Sequence, residues 1–454
     1  MNQTVLLLLL LTTLSAAHKH HDHLSEEQLK VPTDAILWIH ILLQATVWGI
    51  LFPVGMVLGI TRSRWHVPLQ SAAFALTFGG YILGHSHGGR MFLPSIHGSF
   101  ASLLFIPILL QLSLGIYLKL HIHEETTRPY AVVAHGVLGK AYPVLGWSQM
   151  LFGALTYGGY CRDGNLGQCL AHYIMGSGFI AYGAIMAILL VVGEAWIIRS
   201  GRSPEWWDSW IIMLWVINTF TEHRGSTWSV KDMQHTILGV LWWTGGLLGI
   251  FLARNNQRNV VPGVIIILTG WAMSEHAQRL KMSTKVHATF GHTLMLAGLA
   301  RIVEICFVAP DYAKLSKSPT HPHPLAGGNG EVDKAFRHLP PFVSTMRSLL
   351  FMSATDEEIG AVHESGMDHV TYILIMFSLA FTIYGLILLL LHLYATTGRH
   401  ASSTPSFSGG EEIELRDTSG SGGGNKWYTR VPQTPSTGGG GGVGGAHVLG
   451  DDDD

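Results

Sequence analysis

The sequence predicts an all-α polytopic membrane protein, in which a first bundle of four or five transmembrane helices is followed by a second transmembrane helical bundle. Hydrophobic residues make up 48% of the 454 residues and charged residues only 13%, whereas about a quarter of a soluble protein is charged. The 28 basic and 30 acidic residues nearly balance, so the net charge does not favour nucleic acid as a partner. The lipid bilayer is the expected environment.

Apolar runs of the length that crosses a bilayer, about 20 residues, recur along the chain. They cover residues 34–60, 66–89, 96–119, 130–157, 170–198, 206–221, 235–253, 260–275, 287–308 and 369–396, and a weaker eleventh run covers 341–355. If the chain begins outside, the basic residues of alternate loops lie inside, as the positive-inside rule requires. These residues are Arg62, Arg64, Lys119, Arg128, Arg199, Arg202, Arg254 and Arg258. Counting the eleventh run places the C-terminal tail in the cytosol.

The N-terminus carries a leucine-rich stretch that ends in Ser15-Ala16-Ala17 and predicts a signal peptide over residues 1–17. The protein is then expected in the secretory pathway, in the plasma membrane or in a vacuolar or other endomembrane, with its N-terminus lumenal or extracellular. Residues 18–33 form a His-rich segment on that side. His18 and His20 would be the first and third mature residues, where imidazole and backbone nitrogens bind copper. A solvated terminus is the alternative.

Segments of low hydrophobicity separate and follow the apolar runs. Residues 310–338 predict a cytosolic linker, and residues 398–454 predict a disordered cytosolic tail, because their composition buries too little apolar surface. Cys161 and Cys169 flank a polar loop on the outer side of this topology, where oxidising conditions allow a disulfide between them. The sequence contains no nucleophile elbow, P-loop or dinucleotide fingerprint, so hydrolase and ATPase functions have no support.

Histidines lie at or near the starts of the first four runs. Because successive helices run in opposite directions, His40 and His97 fall near the outer face, and His66 and His135 near the inner face. Ionisable residues within membrane spans indicate function, and two histidines from facing helices are the usual way in which a bundle holds a b-type haem. Haems in both leaflets would carry electrons across the bilayer. The structural alternative is that these histidines bond to backbone carbonyls.

The residues around these histidines form a pattern. Its positions are Trp38-Ile39-His40, Phe52-Pro53-Val54-Gly55, Arg62, Trp65-His66, Gln70, His97-Gly98, Gln111, Gly115, Arg128, His135-Gly136 and Gly139. The pattern resembles the cytochrome b561 superfamily over residues 34–158. The resemblance implies one haem on His40 and His97 and a second on His66 and His135. It also implies a cytosolic electron donor, a small molecule such as ascorbate or a protein, and ferric or cupric ions as the acceptor outside.

The second half carries motifs of its own. They are Glu222-His223-Arg224-Gly225, Trp228-Ser229-Val230-Lys231-Asp232-Met233-Gln234-His235, Gly270-Trp271, Glu275-His276-Ala277-Gln278, Phe290-Gly291-His292, Arg301 with Glu304, and Phe351-Met352-Ser353-Ala354-Thr355-Asp356-Glu357-Glu358. These motifs resemble the C-terminal domain of the fungal Ytp-type transmembrane proteins, a family of uncharacterised activity. The two resemblances predict a cytochrome b561-like transmembrane domain over 34–170 and a Ytp-type transmembrane domain over 171–397.

Five histidines of the second half fall toward the outer leaflet in this topology. They are His223, His235, His276, His287 and His292. With the acidic residues beside them, they offer a copper, zinc or iron site or axial ligands for a further haem. The alternative is a buried polar network, for example between Arg301 and Glu304 one helical turn apart. His172, at the outer start of the fifth run, is placed to join either half.

Transmembrane electron transfer through two b-type haems is the function that these observations predict, in a membrane oxidoreductase that reduces ferric or cupric ions. The alternative is a membrane protein that retains a cytochrome-like fold without redox chemistry. Such a protein would bind or transport metal, or would have a structural role. The visible absorption of the reduced protein distinguishes these hypotheses.

Overall fold

The structure is a computed structural model, and it describes residue 28 and residues 31–215, 230–275, 280–308 and 330–400. The described residues from 31 to 400 belong to one compact unit and fold into helices joined by short connections. Seven of the described helices are long and apolar enough to cross a membrane. The chain is an all-α polytopic membrane protein, as the sequence predicts. The predicted signal peptide, His18, His20, His223, His276 and the tail beyond residue 400 lie outside the described residues.

Four long antiparallel helices form the first half. Helix α1 covers Ala35–Ile60, α2 covers His66–Ser86, α3 covers Ile96–Lys119 and α4 covers Arg128–Gly158. Side chains from all four helices pack into one apolar core, in which Phe52 of α1 is fully buried against Phe74 of α2 and Tyr142 of α4. This core holds the helix ends, and the histidines on them, in fixed positions.

The second half contains a larger set of helices. They are α5 Leu166–Val191, α6 Glu194–Ser200, α7 Pro204–Leu214, α8 Val230–Leu252, α9 Val261–Ser274, α10 Lys281–Val303, α11 Gly330–Met352, α12 Asp356–Glu364 and α13 His369–Thr396. Helices α9 and α10 approach closely at glycines: a Cβ atom at Gly270 would lie 2.6 Å from the carbonyl oxygen of Gly291. Small residues at such contacts are the usual basis of tight helix packing in membranes.

The helix boundaries differ from the predicted runs in the fifth run and in the linker. The run 170–198 is divided, because α5 ends at Val191 and α6 begins at Glu194. A Cβ atom at Gly193 would lie 2.8 Å from the Cα atom of Leu189, so glycine permits the chain to turn there. The last residues of the predicted linker, 330–338, are helical, and the eleventh run forms the C-terminal part of α11.

Contacts between helix ends show which of these ends lie on the same side of the bundle. The backbone N–H of Arg399, after α13, donates to the Thr61 carbonyl oxygen at 2.8 Å, at the end of α1. On the other side, the Cys161 N–H donates to Glu357 Oε2 at 2.8 Å. Helix α13 therefore runs from the side of Glu357 to the side of Thr61. The crossing of the eleventh run stays a prediction. Which side faces the cytosol stays a prediction.

Candidate functional site

Two pairs of histidine rings lie at opposite ends of the first four helices. The ring centres of His40, on α1, and His97, on α3, are 6.3 Å apart, with their planes at 84°. The ring centres of His66, on α2, and His135, on α4, are also 6.3 Å apart, with their planes at 87°. The structure therefore brings together the same histidines that the sequence pairs by leaflet.

Backbone carbonyls hold three of these four rings by Nδ1. His40 Nδ1 lies 2.7 Å from the Gly80 oxygen, and His66 Nδ1 lies 2.7 Å from the Gly55 oxygen. His97 Nδ1 lies 3.2 Å from the Gln149 oxygen. A ring that donates its Nδ1–H to a carbonyl carries its lone pair on Nε2, which is the arrangement that metal-binding histidines require.

Glycines lie against the His40 and His66 rings in the same way. A Cβ atom at Gly84 would lie 2.6 Å from His40 Cε1, and one at Gly59 would lie 2.8 Å from His66 Cε1. Gly84 comes four residues after Gly80, whose carbonyl holds His40, and Gly59 comes four residues after Gly55, whose carbonyl holds His66. Since α1 and α2 run in opposite directions, this correspondence is an inverted repeat: the contacts of His40 with α2 are repeated, upside down, by the contacts of His66 with α1.

Helices α3 and α4 repeat this correspondence with glutamines. Gln149 of α4 donates to the His97 carbonyl oxygen at 3.0 Å, and Gln111 of α3 donates to the His135 carbonyl oxygen at 3.2 Å. Gly153 and Gly115, each four residues after its glutamine, are the glycines nearest to these rings. The repeat thus relates the His40/His97 pair to the His66/His135 pair.

The residues present fit a haem at each pair. A metal–imidazole bond is about 2.0 Å long and a ring nitrogen lies about 1.1 Å from its ring centre, so two imidazoles that share one metal have their centres about 6.2 Å apart. Both pairs match this separation, at 6.3 Å. Within the described part of the chain, a Cβ atom at Gly79 or Gly98 would meet nothing within 4 Å. Such open helix faces accept a flat macrocycle.

The His66/His135 pair has one ring that is held less completely. His135 Nδ1 is buried without a hydrogen-bond partner among the described residues, and Gln111 Nε2 lies 3.5 Å from His135 Nε2. A group bound between His66 and His135 would therefore compete with Gln111 for the His135 Nε2 position.

The predicted histidine cluster of the second half is only partly covered by the described residues, which lack His223 and His276. His287, on α10, is buried, and its ring centre lies 5.9 Å from that of His172, on α5. The His172 ring also stacks on Phe351 at 4.7 Å. His235 is partly buried on α8, whereas His292 is exposed. The sequence left the partner of His172 open, and the structure gives it a partner in the second half.

No group of three or more His, Cys, Asp or Glu side chains that could hold a metal occurs in the described ranges. His292 follows His287 by five residues on one helix and so lies on a different face of it. A metal site that includes His223, His235, His276, His287 and His292 stays a prediction, as do copper, zinc or iron as its occupants.

A buried ionic cluster joins helices α7 and α10 to the segment between α8 and α9. Arg301 donates to Glu304, to Glu205 at 2.9 Å and to Asp208 at 3.2 Å. Arg258 donates to Glu205 at 2.7 Å and to Glu304 at 3.3 Å. The sequence predicts the Arg301–Glu304 pair but gives no sign of the other partners, because they are distant along the chain. It assigns Arg258 to an inner loop by its charge alone.

The segment before α5 is connected to the start of α12. A disulfide joins Cys161 to Cys169, whose Cα atoms are 5.4 Å apart. The Glu357 carboxylate accepts from the Cys161 N–H at 2.8 Å and from Asn165 Nδ2 at 3.0 Å. These contacts join the loop of the disulfide to the C-terminal part of the chain.

Glu358 lies beside this junction, where it begins α12 together with Thr355. The Glu358 N–H donates to Thr355 Oγ1 at 3.2 Å, a helix N-cap. Its carboxylate accepts from the Tyr173 hydroxyl at 2.7 Å. Burial raises the pKa of Glu358 from 4.5 to about 7, although the hydrogen bonds from Tyr173 and Thr355 oppose the shift. The Glu358 carboxyl therefore titrates near neutral pH.

We expect Glu358→Gln to remove a pH dependence of stability. The folded pKa lies above the unfolded pKa, so the folded state keeps its proton longer and stability falls as pH rises between 4.5 and about 7. The loss over this window is at most about 3 kcal/mol. Thermal unfolding of the purified protein from pH 4.5 to pH 8 measures it. Glu364→Gln, at an exposed position of the same helix, is the control and should keep the slope; an unchanged slope in Glu358→Gln contradicts the prediction.

Comparison with known proteins identifies relatives among fungal membrane proteins. The chain is similar to Protein YTP1 of Saccharomyces cerevisiae, with 45% identity over 242 residues, which are 53% of this chain and 50% of that protein. It is 26% identical over 234 residues to an uncharacterized membrane protein of Schizosaccharomyces pombe, covering 41% of this chain and 45% of that protein. A second uncharacterized membrane protein of Saccharomyces cerevisiae is 26% identical over 192 residues, covering 36% of this chain and 28% of that protein. The chain thus spans about half the length, or less, of these relatives.

Family comparison covers both halves of the chain. A model described as a domain of unknown function (DUF2427) matches residues 4–121, and a model described as Protein YTP1-like, C-terminal, matches residues 145–395. No solved structure matches significantly. The cytochrome b561 resemblance of the first half stays a prediction, whereas the Ytp-type resemblance is confirmed. Since the YTP1-like model covers more than half of the 454 residues, the chain belongs to the family of Ytp1-like fungal membrane proteins.

Proposed function

We propose that this protein transfers electrons across its membrane through two b-type haems, one held by His40 and His97 and the other by His66 and His135. The observation that carries the proposal is the equal geometry of the two pairs, with ring centres 6.3 Å apart in each, at opposite ends of one antiparallel bundle. Histidines that only bonded to backbone carbonyls would have no reason to face each other at the same distance twice.

One histidine of each pair, His40 and His66, is held so that it presents Nε2 for ligation. The Gly80 and Gly55 carbonyls fix the rings of His40 and His66 through Nδ1, and this outer contact orients the ring and increases its basicity. When bound, a b-type haem supplies one-electron chemistry between ferric and ferrous iron.

Aromatic side chains fill the bundle between the two pairs. Trp48, Phe52 and Tyr142 contact one another, with ring centres 4.9 to 5.5 Å apart. Trp48 and Phe52 lie between His40 and Gly55 on α1, and Tyr142 lies midway between His135 and Gln149 on α4. These buried side chains form an apolar core between the two pairs, through which the proposed electron transfer would pass.

The donor and acceptor follow from the cytochrome b561 resemblance. We propose a small molecule or a protein in the cytosol as the donor to the His66/His135 side, and ferric or cupric ions outside as the acceptor from the His40/His97 side. The protein is then a membrane oxidoreductase that reduces metal ions.

A role in metal binding or transport without redox chemistry is the second candidate. It is favoured by the close pair of His172 and His287, with ring centres 5.9 Å apart in the buried part of the second half. Each ring lies with Nδ1 2.9 Å from the carbonyl oxygen four residues before it. Such a contact fixes the tautomer of metal-binding histidines.

The absorption spectrum of the purified full-length chain tests the proposal. We expect b-type Soret and alpha bands after reduction with dithionite, and about two haems per chain by pyridine haemochrome, one for each histidine pair. Elemental analysis of the same sample measures copper, zinc and iron. Folded protein without haem bands overturns the electron-transfer proposal, and bound metal in such a sample favours the second candidate.

Glycine variants give a reciprocal test of the two haem sites. Gly84→Ala places a methyl group 2.6 Å from His40 Cε1, and Gly59→Ala places one 2.8 Å from His66 Cε1, so each change displaces one ring. We expect each variant to lose about one haem. In protein that also carries His97→Ala, Gly84→Ala should cause no further loss, whereas Gly59→Ala should remove the second haem. Equal losses by both in that background contradict the assignment.

A further inference from the structure

A narrow cavity of about 50 Å³ lies among the helices of the second half. Its walls are almost entirely apolar and aromatic. They include Phe179, Ile212, Trp215, Trp242, Ile265 and Leu294. One positively charged side chain, Arg347 of α11, also lines this cavity. A volume of this size holds a few heavy atoms, so the cavity accepts the polar end and the adjoining apolar carbons of a ligand, the rest of which would lie outside it.

The Arg347 side chain is buried, with 2% of it exposed, and is only partly satisfied. Its Nη2 donates to Ser344 Oγ at 3.0 Å, and its Cζ lies 4.8 Å from the centre of the Phe179 ring. Arg347 Nε has no hydrogen-bond partner, and no carboxylate of the described residues forms an ion pair with Arg347. A buried guanidinium without a counter-ion in contact is costly, so an anion is the missing partner.

The acidic residue that lines a cavity together with Arg347 is already bound to another arginine. A smaller cavity of about 10 Å³ is lined by Arg347, Asp208 and Arg301. The Asp208 carboxylate accepts from Arg301 at 3.2 Å and from the Tyr182 hydroxyl at 2.9 Å. Arg347 thus lies between the ionic cluster on one side and the apolar cavity on the other, without a hydrogen bond to the cluster.

Two other hydroxyl groups of the cavity wall have partners. The Thr269 hydroxyl donates to the Ile265 carbonyl at 2.8 Å and accepts from Trp242 Nε1 at 2.8 Å, and the Tyr182 hydroxyl donates to Asp208. Trp215 Nε1 has no hydrogen-bond partner among the described residues. Arg347 and the Trp215 N–H are few donors for the oxygens of a phosphate, whereas a carboxylate needs only the paired N–H groups that one guanidinium offers.

We infer that this cavity binds the head of a monocarboxylate with an apolar tail, whose carboxylate pairs with Arg347 and whose first carbons lie among the aromatic side chains. The inference concerns the second half and is independent of the haem proposal. Two sources share this chemistry: a short free carboxylic acid, and a long-chain fatty acid from the surrounding lipid.

Equilibrium binding to the full-length chain in lipid nanodiscs tests the inference. The probes are radiolabelled octanoate and oleate, with octanol as the neutral control. We expect saturable binding of octanoate, of oleate or of both, and weaker binding of octanol. Binding of octanoate alone identifies a soluble acid as the source, and binding of oleate identifies a lipid-derived acid.

Arg347→Gln should weaken carboxylate binding by about tenfold or more, because it removes a charge-assisted pair, and should leave octanol binding unchanged. Ile266→Trp, at another residue of the cavity wall, fills the cavity while Arg347 remains. It should abolish binding of the two acids and of octanol, and it tests the inference if Arg347→Gln does not fold. Three results would overturn the inference: octanol that binds as tightly as octanoate, a folded variant that binds the acids like the wild type, or no saturable binding of either acid. Arg347 would then serve only as a distant counter-charge of the ionic cluster.

Discussion

His97→Ala is expected to remove one haem from this protein and to leave the other in place. His97 faces His40 alone, at 6.3 Å, while His66 and His135 form a separate pair at the opposite helix ends. Loss of one imidazole leaves a haem iron with a single protein ligand in a site shaped for two. We therefore expect the haem content to fall from about two to about one per chain, measured by pyridine haemochrome.

Two further variants make this result specific. His135→Ala should also remove one haem, and the double variant should remove both. His121→Ala changes an exposed histidine in the turn after α3 and should keep both haems. Loss of neither haem in folded His97→Ala, or loss of both, would show that the histidines do not pair as their ring contacts indicate.

The pairing of the first-half histidines could be predicted because it depends on local order alone. Short loops make consecutive helices antiparallel, so a histidine near the start of each helix alternates between the two faces. That argument places His40 with His97, and the structure has their ring centres 6.3 Å apart. The inverted repeat of glycines beneath the rings follows from the same order, but it is visible only once Gly84 is known to lie against His40.

The second half could be predicted as a set of helices but not as a site. Its polar contacts join residues far apart in the chain, such as Arg301 with Glu205 and Tyr173 with Glu358. Helix order does not determine which of the nine described helices of this half lie side by side, because sequence separation says little about packing in a large bundle. For the same reason, the sequence left His172 between two alternatives, whereas the structure has its ring near that of His287.

The end of a helix within an apolar run could not be predicted from the hydrophobic pattern either. The run 170–198 is apolar enough for one span, yet α5 stops at Val191. The signal was the pair Gly193-Glu194, in which a flexible residue precedes a charged one. Composition averaged over a whole run conceals such a pair.

Arg301→Met is expected to destabilise the second half strongly. Arg301 is 3% exposed and is shared by three carboxylates, those of Glu205, Asp208 and Glu304. Without it, Glu205 and Glu304 keep Arg258 as a partner, while Asp208 keeps only the hydrogen bond from the Tyr182 hydroxyl. Breaking a buried ionic group in this way costs about 3–5 kcal/mol. Loss of helical circular dichroism on heating, in the same detergent for each variant, measures the fall in the unfolding temperature.

Two further variants show whether the destabilisation comes from the buried carboxylates that lose Arg301 or from the loss of an arginine side chain as such. Arg254→Met removes an exposed arginine that packs on Phe251 and should change stability little, because exposed charges contribute about 1 kcal/mol or less. Adding Glu304→Gln to Arg301→Met removes one of the carboxylates left without Arg301 and should recover part of the loss. If the double variant is less stable than Arg301→Met alone, the penalty comes from lost packing around α10 and not from buried negative charge, and the cluster would be a steric element of the fold.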